Sequence, residues 1–414
     1  MRLLPALLVA LLLASATAAP AAGWNTAPAQ SVSDASVSPR ITPIANTTNH
    51  LTIPPDEIQA TGFNETGIDV GTAVASGSRQ LHQRHGASTF EKRFRRADSE
   101  AARRQLVRGT LAAAERRTAQ LRQRQQTAIS RYAAGEISER ELLRVRVLVD
   151  AESRALLDTL DRISAAQQLE PDYSMTSGME ARLRNIEGAL QLLHGPVSKR
   201  VRATVTGASD ASIVYVEGSS EGYMFATVDG SEYVRETSLG SERQPTQPDQ
   251  FAEGASGDTN RLDVADNRAS ELYTWLYERQ RPSFTYYGTS GIYELTANHP
   301  NGRLTAYLDG GTTNVFYELQ HRQLATVQTT ETRQSVNESL RLEVQRAYST
   351  GPLFVEVTNN ETGAPVDATV HIDGRRVGTG GTDGVLWTVE PRGEYTVTVT
   401  TANGTRTSVT VPER

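Results

Sequence analysis

Apolar residues recur every three or four positions through the stretch from Asp98 to about Gln168. In its first half, Val107, Leu111, Ala114, Thr118, Leu121, Gln125, Ala128 and Tyr132 follow alternating steps of four and three. That is a heptad seam of the coiled-coil kind, softened by Thr118 and Gln125. Asp98 or Ser99 supplies an N-cap, and Glu100 favours the positive end of the helix dipole. A second helix starts at Ser138, with Glu141 three residues on as a capping box. Its stripe is Leu142, Val145, Val149, Leu156, Leu160 and Ile163, broken by Glu152 or Ser153. Between the two lies the turn Ala133-Ala134-Gly135-Glu136, short enough to make antiparallel neighbours. The pattern predicts a long helical hairpin, each arm roughly 30–35 residues and about 50 Å long.

The period changes after the hairpin. Residues 174–330 predict an α+β region with a weak internal repeat. Its first half has a helix over 176–193, stopped by Gly195-Pro196, then strands near 201–206, 212–217, 223–228 and 232–237. The second half has a helix over 264–280 and strands near 284–287, 291–297, 303–308 and 313–320. Both halves carry an Asp-Gly pair between strands, Asp229-Gly230 and Asp309-Gly310, which signals a tight hairpin turn. The polar stretch 239–261 reads as a mobile loop joining them. Leu340, Leu342 and Val344 alternate, so residues 331–350 predict a bridging strand. Residues 351–414 carry short alternating runs with turn signals between them, the pattern of a β-sandwich. The fold class is therefore multidomain α+β: a long antiparallel helical hairpin over 46–170, a helix-plus-antiparallel-sheet middle region, and a C-terminal β-sandwich.

Upstream, Arg2 and the apolar run Leu3–Leu13 have the form of a signal peptide over 1–22, with Ala14-Ser15-Ala16 among the small-residue cleavage motifs. An uncleaved anchor is the alternative. No other stretch is apolar enough to span a membrane. Residues 23–45, rich in Ala, Ser, Pro and Thr, read as a disordered stalk. The segment Asn46–Pro55 reads as an extended strap packed on the helices, and one or two short helices over 71–96 lead into the hairpin. Five sequons, at Asn46, Asn64, Asn337, Asn360 and Asn403, are glycan acceptors in an exported chain.

Two resemblances accompany this reading. Asn46–Pro54, Gly67-Ile68-Asp69-Val70 and the Arg- and Glu-rich hairpin with Tyr132-Ala133-Ala134-Gly135-Glu136-Ile137-Ser138 resemble a group of uncharacterised exported haloarchaeal proteins, over about residues 1–350. The resemblance implies a habitat and no mechanism. In the tail, Gly363-Ala364-Pro365-Val366, Thr382-Asp383-Gly384 and Pro391-Arg392-Gly393-Glu394-Tyr395 resemble the carboxypeptidase-regulatory-like domain. That implies a seven-stranded prealbumin- or immunoglobulin-like sandwich with a spacer or docking role.

Charge adds one feature. Residues 91–131 hold twelve basic and four acidic side chains, a balance of +8 in a chain whose net charge is −6. Arg93, Arg96, Arg103, Arg104, Arg108, Arg116, Arg117, Arg122 and Arg124 form a candidate basic docking face for an acidic envelope protein or polymer. The competing reading is a solvated helix face, partly neutralised by the second arm. Association of copies through the hairpin seam is a further possibility. Nucleic acid is not expected, because no aromatics interleave the arginines.

The chain has no cysteine, which excludes disulfides and thiolate chemistry. Lysine occurs only at Lys92 and Lys199. Of the histidines, His82 and His85 are close enough to share a metal, but no third ligand follows. No P-loop, EF-hand, zincin helix or nucleophile elbow occurs, so no catalytic residue, cofactor or metal is assigned. Tyr215, Tyr223, Tyr273, Trp275, Tyr277, Tyr286, Tyr287, Tyr293 and Tyr307 gather in the middle region. They pack a core edge or, alternatively, line a ligand groove. The expectation is an exported cell-surface or envelope-associated binding and scaffold protein without catalytic activity. Its rival is a secreted enzyme or inhibitor-type binder using that groove.

Overall fold

The computed structural model describes residues 40–414, apart from 167–169, 171 and 258, and only the backbone of 82–84. The expected signal peptide and most of the expected stalk lie outside the described residues. The stalk's last residues are ordered: β1 (Ile41–Thr42) pairs with β2 (His50–Leu51). β3 (Ala60–Thr66) follows the buried Leu51 and Ile53.

Three long helices come next. α1 (Val70–Arg95) is one helix of 26 residues, longer than expected; the Asp69 carboxylate caps it by accepting from the Thr72 amide. α2 (Glu100–Ala133) and α3 (Glu139–Ser164) start at Ser99 and at the Ser138–Glu141 capping box, and Gly135 turns between them at φ 71°. The hairpin is not free-standing. α3 packs against α1 and α2, and also against α4 (Ser177–Gln191) and α5 (Pro196–Val205). It is therefore buried almost all round. Arg146 and Asp150, outside the expected stripe, and Glu152 and Ser153, its expected break, are all interior. The strand expected at 201–206 is instead the end of α5. Pro196 opens that helix at its first turn, where its missing N–H costs nothing, and Val197, Val201 and Val205 face the core at helical spacing.

The middle region builds one antiparallel sheet. Its strands are β4 (Ser212–Gly218), β5 (Gly222–Asp229), β6 (Glu232–Leu239), β7 (Ser283–Tyr286), β8 (Ile292–His299), β9 (Gly302–Asp309) and β10 (Val315–Gln323). The order is β3-β4-β5-β6-β10-β9-β8-β7. The two meanders that the repeat predicts join edge to edge at β6–β10, and the N-terminal β3 adds itself at one end. The sheet therefore crosses the expected boundary between the hairpin and middle domains. Between β6 and β7 lie α6 (Gln250–Glu253), α7 (Arg261–Leu272) and α8 (Thr274–Tyr277). The helix expected over 264–280 is thus two shorter ones. The loop expected to be mobile is pinned by the buried Phe251 and by Tyr293, whose hydroxyl donates to Asp249 at 2.7 Å.

The C-terminal sandwich opens at residue 331, earlier than expected. The bridging segment supplies two strands, β11 (Glu331–Val336) and β12 (Leu340–Arg346). The others are β13 (Pro352–Asn359), β14 (Ala368–Ile372), β15 (Arg375–Thr379), β16 (Val385–Val389), β17 (Tyr395–Thr401) and β18 (Arg406–Val411). They form the sheets β11-β12-β13-β16 and β15-β14-β17-β18, eight strands where seven were expected. Arg392 fastens the sandwich to the central sheet. Its guanidinium donates to Glu217 at 2.5 Å and to the Ile53 carbonyl at 3.2 Å.

Helices cover one face of the central sheet. At its centre Arg146 and Glu236, both fully buried, meet at 2.6 Å. Removing one partner strands the other charge in the interior. We expect Arg146→Met to lower stability in denaturant unfolding by about 3–5 kcal/mol. Arg146→Met combined with Glu236→Gln should recover part of that loss; simple additivity of the two single substitutions would show that the pair is not coupled.

Candidate functional site

The helix-covered face of the sheet carries alternate residues of β6 and β10: Val234 and Glu236 on one, Tyr317, Leu319 and His321 on the other. The α4–α5 connection crosses this face, and next to it, under the start of α5, lies a groove of about 380 Å³. Lys199 and Arg200 come to it from α5, Asp229 and Glu232 from the β5–β6 hairpin, and Arg303 and His321 from β9 and β10. Most of these charges satisfy one another. Arg200 meets Asp229 at 3.1 Å. Arg303 donates to His321 Nε2 at 3.0 Å, which leaves Nδ1 to donate to Glu232 at 3.2 Å. Burial lowers the His321 imidazole, and the Glu232 hydrogen bond pulls it back. Lys199 is exposed and has no ion pair among the described residues.

His194 closes one side of the groove. Its Nδ1 lies 3.2 Å from Asp150 Oδ1 and 3.4 Å from Ser153 Oγ. The three residue types match a hydrolytic triad, but the geometry does not. A triad needs acid and nucleophile on opposite ring nitrogens, whereas both contacts here fall on Nδ1. Nε2 is buried without a partner among the described residues. Ser153 Oγ donates back to the Asp150 carbonyl at 3.1 Å, an ordinary intrahelical bond. Asp150 is an electrostatic hub: Arg154 holds it at 3.0–3.1 Å and Arg202 lies at 3.4 Å.

Below the groove, the Arg146 guanidinium sits 5.0 Å over the Tyr223 ring, and the Tyr223 hydroxyl donates to Glu236 at 2.9 Å. Burial pushes the Glu236 carboxyl up against the pull of Arg146. Gly195 is a glycine for reasons of space: a Cβ there would fall 1.7 Å from Glu236 Oε2. Four buried tyrosines of the middle region donate their hydroxyls to carboxylates, whereas Tyr233 and Tyr317 donate to the backbone carbonyls of Thr350 and His194. Tyr215 uses Glu217, Tyr223 uses Glu236, Tyr273 uses Glu318 and Tyr293 uses Asp249. These four pack the core instead of lining a groove; Tyr307 borders the groove and stacks on Tyr317.

The nine arginines do not form one face. Arg103, Arg104 and Arg117 pair with Glu170, Glu100 and Glu152. Arg124 is half-buried among Arg79, Arg117 and Glu152. Arg93, Arg96, Arg108, Arg116 and Arg122 remain exposed, with no ion pair among the described residues. Among the sequons, Asn46 Nδ2 donates to Gln328 at 2.8 Å and Asn337 Nδ2 to the Arg406 carbonyl at 3.1 Å. Asn64 is half-buried on β3. Asn360 is half-buried and Asn403 exposed, and neither side-chain amide donates a hydrogen bond among the described residues. The described residues contain no metal-binding cluster of three His, Asp or Glu side chains; His85 is exposed on α1. None of the groove's partnerships was anticipated, because its residues are far apart in the chain.

The histidines give the fold a pH dependence. Burial pushes His194 below the ordinary 6.5 despite Asp150, His299 down to about 4, and His50 well below its usual range. The unfolded chain then binds more protons below pH 6.5, so stability falls as pH drops through that range. For Asp150, burial alone would raise the carboxyl, but hydrogen bonds from His194 and Arg154 hold it at about 2. Its contribution is lost only between the ordinary 3.8 and that value. His194→Gln should flatten the stability profile between pH 6.5 and 4. An unchanged slope would remove His194 from the account.

No curated protein and no solved structure matches the chain. Residues 331–408 match the archaeal fibronectin-III type-like domain. That match supports the immunoglobulin-like sandwich and names a different relative from the carboxypeptidase-regulatory-like domain. Residues 214–328 match a family of unknown function (DUF7094). Residues 1–210, half of the 414, match the domain of unknown function DUF7096, and the chain belongs to that family.

Proposed function

We propose that this protein is an exported cell-surface or envelope-associated binding and scaffold protein, without catalytic activity, that meets an acidic envelope protein or polymer through its helical layer. One observation carries the reading: Arg93, Arg108 and Arg116 stand exposed on α1 and α2, without ion pairs among the described residues, whereas Arg103, Glu115 and Arg117 on the same layer are matched. Unmatched cations on a helix surface raise the association rate with an acidic surface and make binding salt-dependent. The rigid attachment of the sandwich through Arg392 and Glu217 suits a spacer role.

A second reading places a small ligand in the groove beside His194, on the tyrosine-rich sheet. It is favoured by the groove's volume of about 380 Å³ and by the exposed Lys199 at its edge. It ranks second because Arg200, Arg303 and His321 already have partners.

Removing residues 98–168 is not a usable test, since it would take Arg146 and the core of α3 with it. Surface charge reversal is. In the protein's own cells, Arg93→Glu, Arg108→Glu and Arg116→Glu together should move the chain from the envelope fraction into the medium, with the unfolding midpoint kept. An unaltered distribution would defeat the docking reading. Light scattering on the same variants would show whether these charges also govern association of copies. If the chain is exported through a glycosylating envelope, glycopeptide mapping should find sugar at Asn360 and Asn403 and little at Asn46 and Asn337, whose amides are engaged. Dominant occupancy at Asn46 would contradict this.

A further inference from the structure

A second cavity opens on the helix-covered side, where α2 passes the ends of β6 and β10. It has a volume of about 380 Å³, and Arg122 and Arg243 are the charged residues that line it; Asp309, next to Arg243, is not part of the lining. The glutamine side chains Gln123 and Gln126 complete its α2 wall.

Arg243 is the unusual group. Its side chain is only 10 % exposed. The nearest carboxylate oxygen, Asp309 Oδ1, lies 3.7 Å from Nε, beyond hydrogen-bonding distance. Asp309 spends its other oxygen on the amides of Gln244 and Thr312, at 3.0 and 3.1 Å. Arg243 Nε has no acceptor among the described residues, and its terminal nitrogens donate no hydrogen bond there either. The guanidinium is held in place by Phe316, whose ring centroid is 5.2 Å away. A largely buried cation whose one counter-ion makes no hydrogen bond to it is under-compensated for the water it has given up. Burial and the neighbouring Arg122 lower its pKa to about 10, with Asp309 offering only a partial counterweight. Arg122, across the cavity, has no ion pair among the described residues.

We propose that this cavity binds one oxyanion, a carboxylate, sulfate or phosphate group, between Arg243 and Arg122. Arg243 is the fixed anchor. Its planar fork is positioned by Phe316 and matches two oxygens of one anion. Arg122, on the exposed surface of α2, closes from the opposite side. The anion supplies the acceptors that Arg243 lacks and relieves the repulsion between the two guanidinium groups. This site is separate from the outward arginines of α1 and α2 and does not require that they meet an acidic partner.

The test is calorimetric titration of the full chain with sodium sulfate, sodium phosphate and sodium glucuronate, each against chloride at matched ionic strength. The expected result is saturable one-site binding of at least one of the three. Arg243→Gln and Arg122→Gln should each weaken it about tenfold or more, since each removes charged hydrogen bonds to the anion. Arg341→Gln, exposed on β12 and outside the cavity, should leave it unchanged. The arm that binds most tightly identifies the anion's source. No saturable binding in any arm overturns the proposal. So does equal weakening by Arg341→Gln, which would mean diffuse charge attraction. Should Arg243→Gln fail to fold, Arg122→Gln decides alone, because its side chain is exposed; unchanged affinity there also overturns the site.

Discussion

The Arg146–Glu236 pair is the point around which the helical layer and the sheet are assembled. Each ion gives up water at a cost of several kcal/mol, and direct attraction alone rarely recovers that. The surroundings have to make up the difference. Tyr223 donates to the same carboxylate oxygen, the Tyr223 and Phe225 rings lie 5.0 and 5.9 Å from the guanidinium, and Gln125 of α2 accepts from its other side. The pair therefore ties α2, α3, β5 and β6 to one spot. It also dictates Gly195, since the carboxylate fills the volume a side chain would take. A solution this specific tolerates only one placement of α3 on the sheet.

The opposite face of the sheet repeats the device. Arg235 donates to the Leu51 carbonyl at 3.0 Å, and Arg322 to the Thr48 carbonyl at 2.7 Å. Glu318 accepts from the Leu51 amide at 2.9 Å. An N-terminal strap with few sheet partners of its own is thus held by buried side chains of β6 and β10. With the sandwich fastened beside it through Arg392, the sheet has no open face at its centre. Arginine suits this use, since its planar fork reaches two acceptors and keeps its charge. The near absence of lysine is consistent with an interior wired this way.

That wiring also marks where the sequence could be read and where it could not. The hairpin helices, their caps and the Asp229-Gly230 turn are local events, and local spacing announces them; Gly230 sits at φ 62° as such a turn demands. Asp309-Gly310 looked identical but is not: there Thr313 takes the positive φ of 60°, and the Asp309 carboxylate caps the loop. The strand expected at 201–206 failed because Val201 and Val205 suit either period, and only Val197 behind Pro196 reveals the helix. Arg146, Glu236 and Glu318 were illegible as core. A sheet buried on both faces loses its alternation, and a charge reads as surface until its distant partner is known. The basic face was legible only in part for a similar reason, because the carboxylates that neutralise Arg103 and Arg117 come from Glu170, beyond α3, and from Glu152 on α3.

The same ledger of partners separates the two cavities on the helix-covered face. Beside His194, Arg303, His321 and Glu232 form a closed chain in which each donor has its acceptor. A ligand entering there must compete with contacts already made. At the other end of the sheet, Arg243 is largely desolvated, and Asp309, 3.7 Å away, compensates it only in part and without a hydrogen bond. Folding has already spent the free energy of taking Arg243 out of water. An anion arriving there gains a preorganised cation at no further desolvation cost to the protein, which is the condition under which a buried charge becomes a binding site.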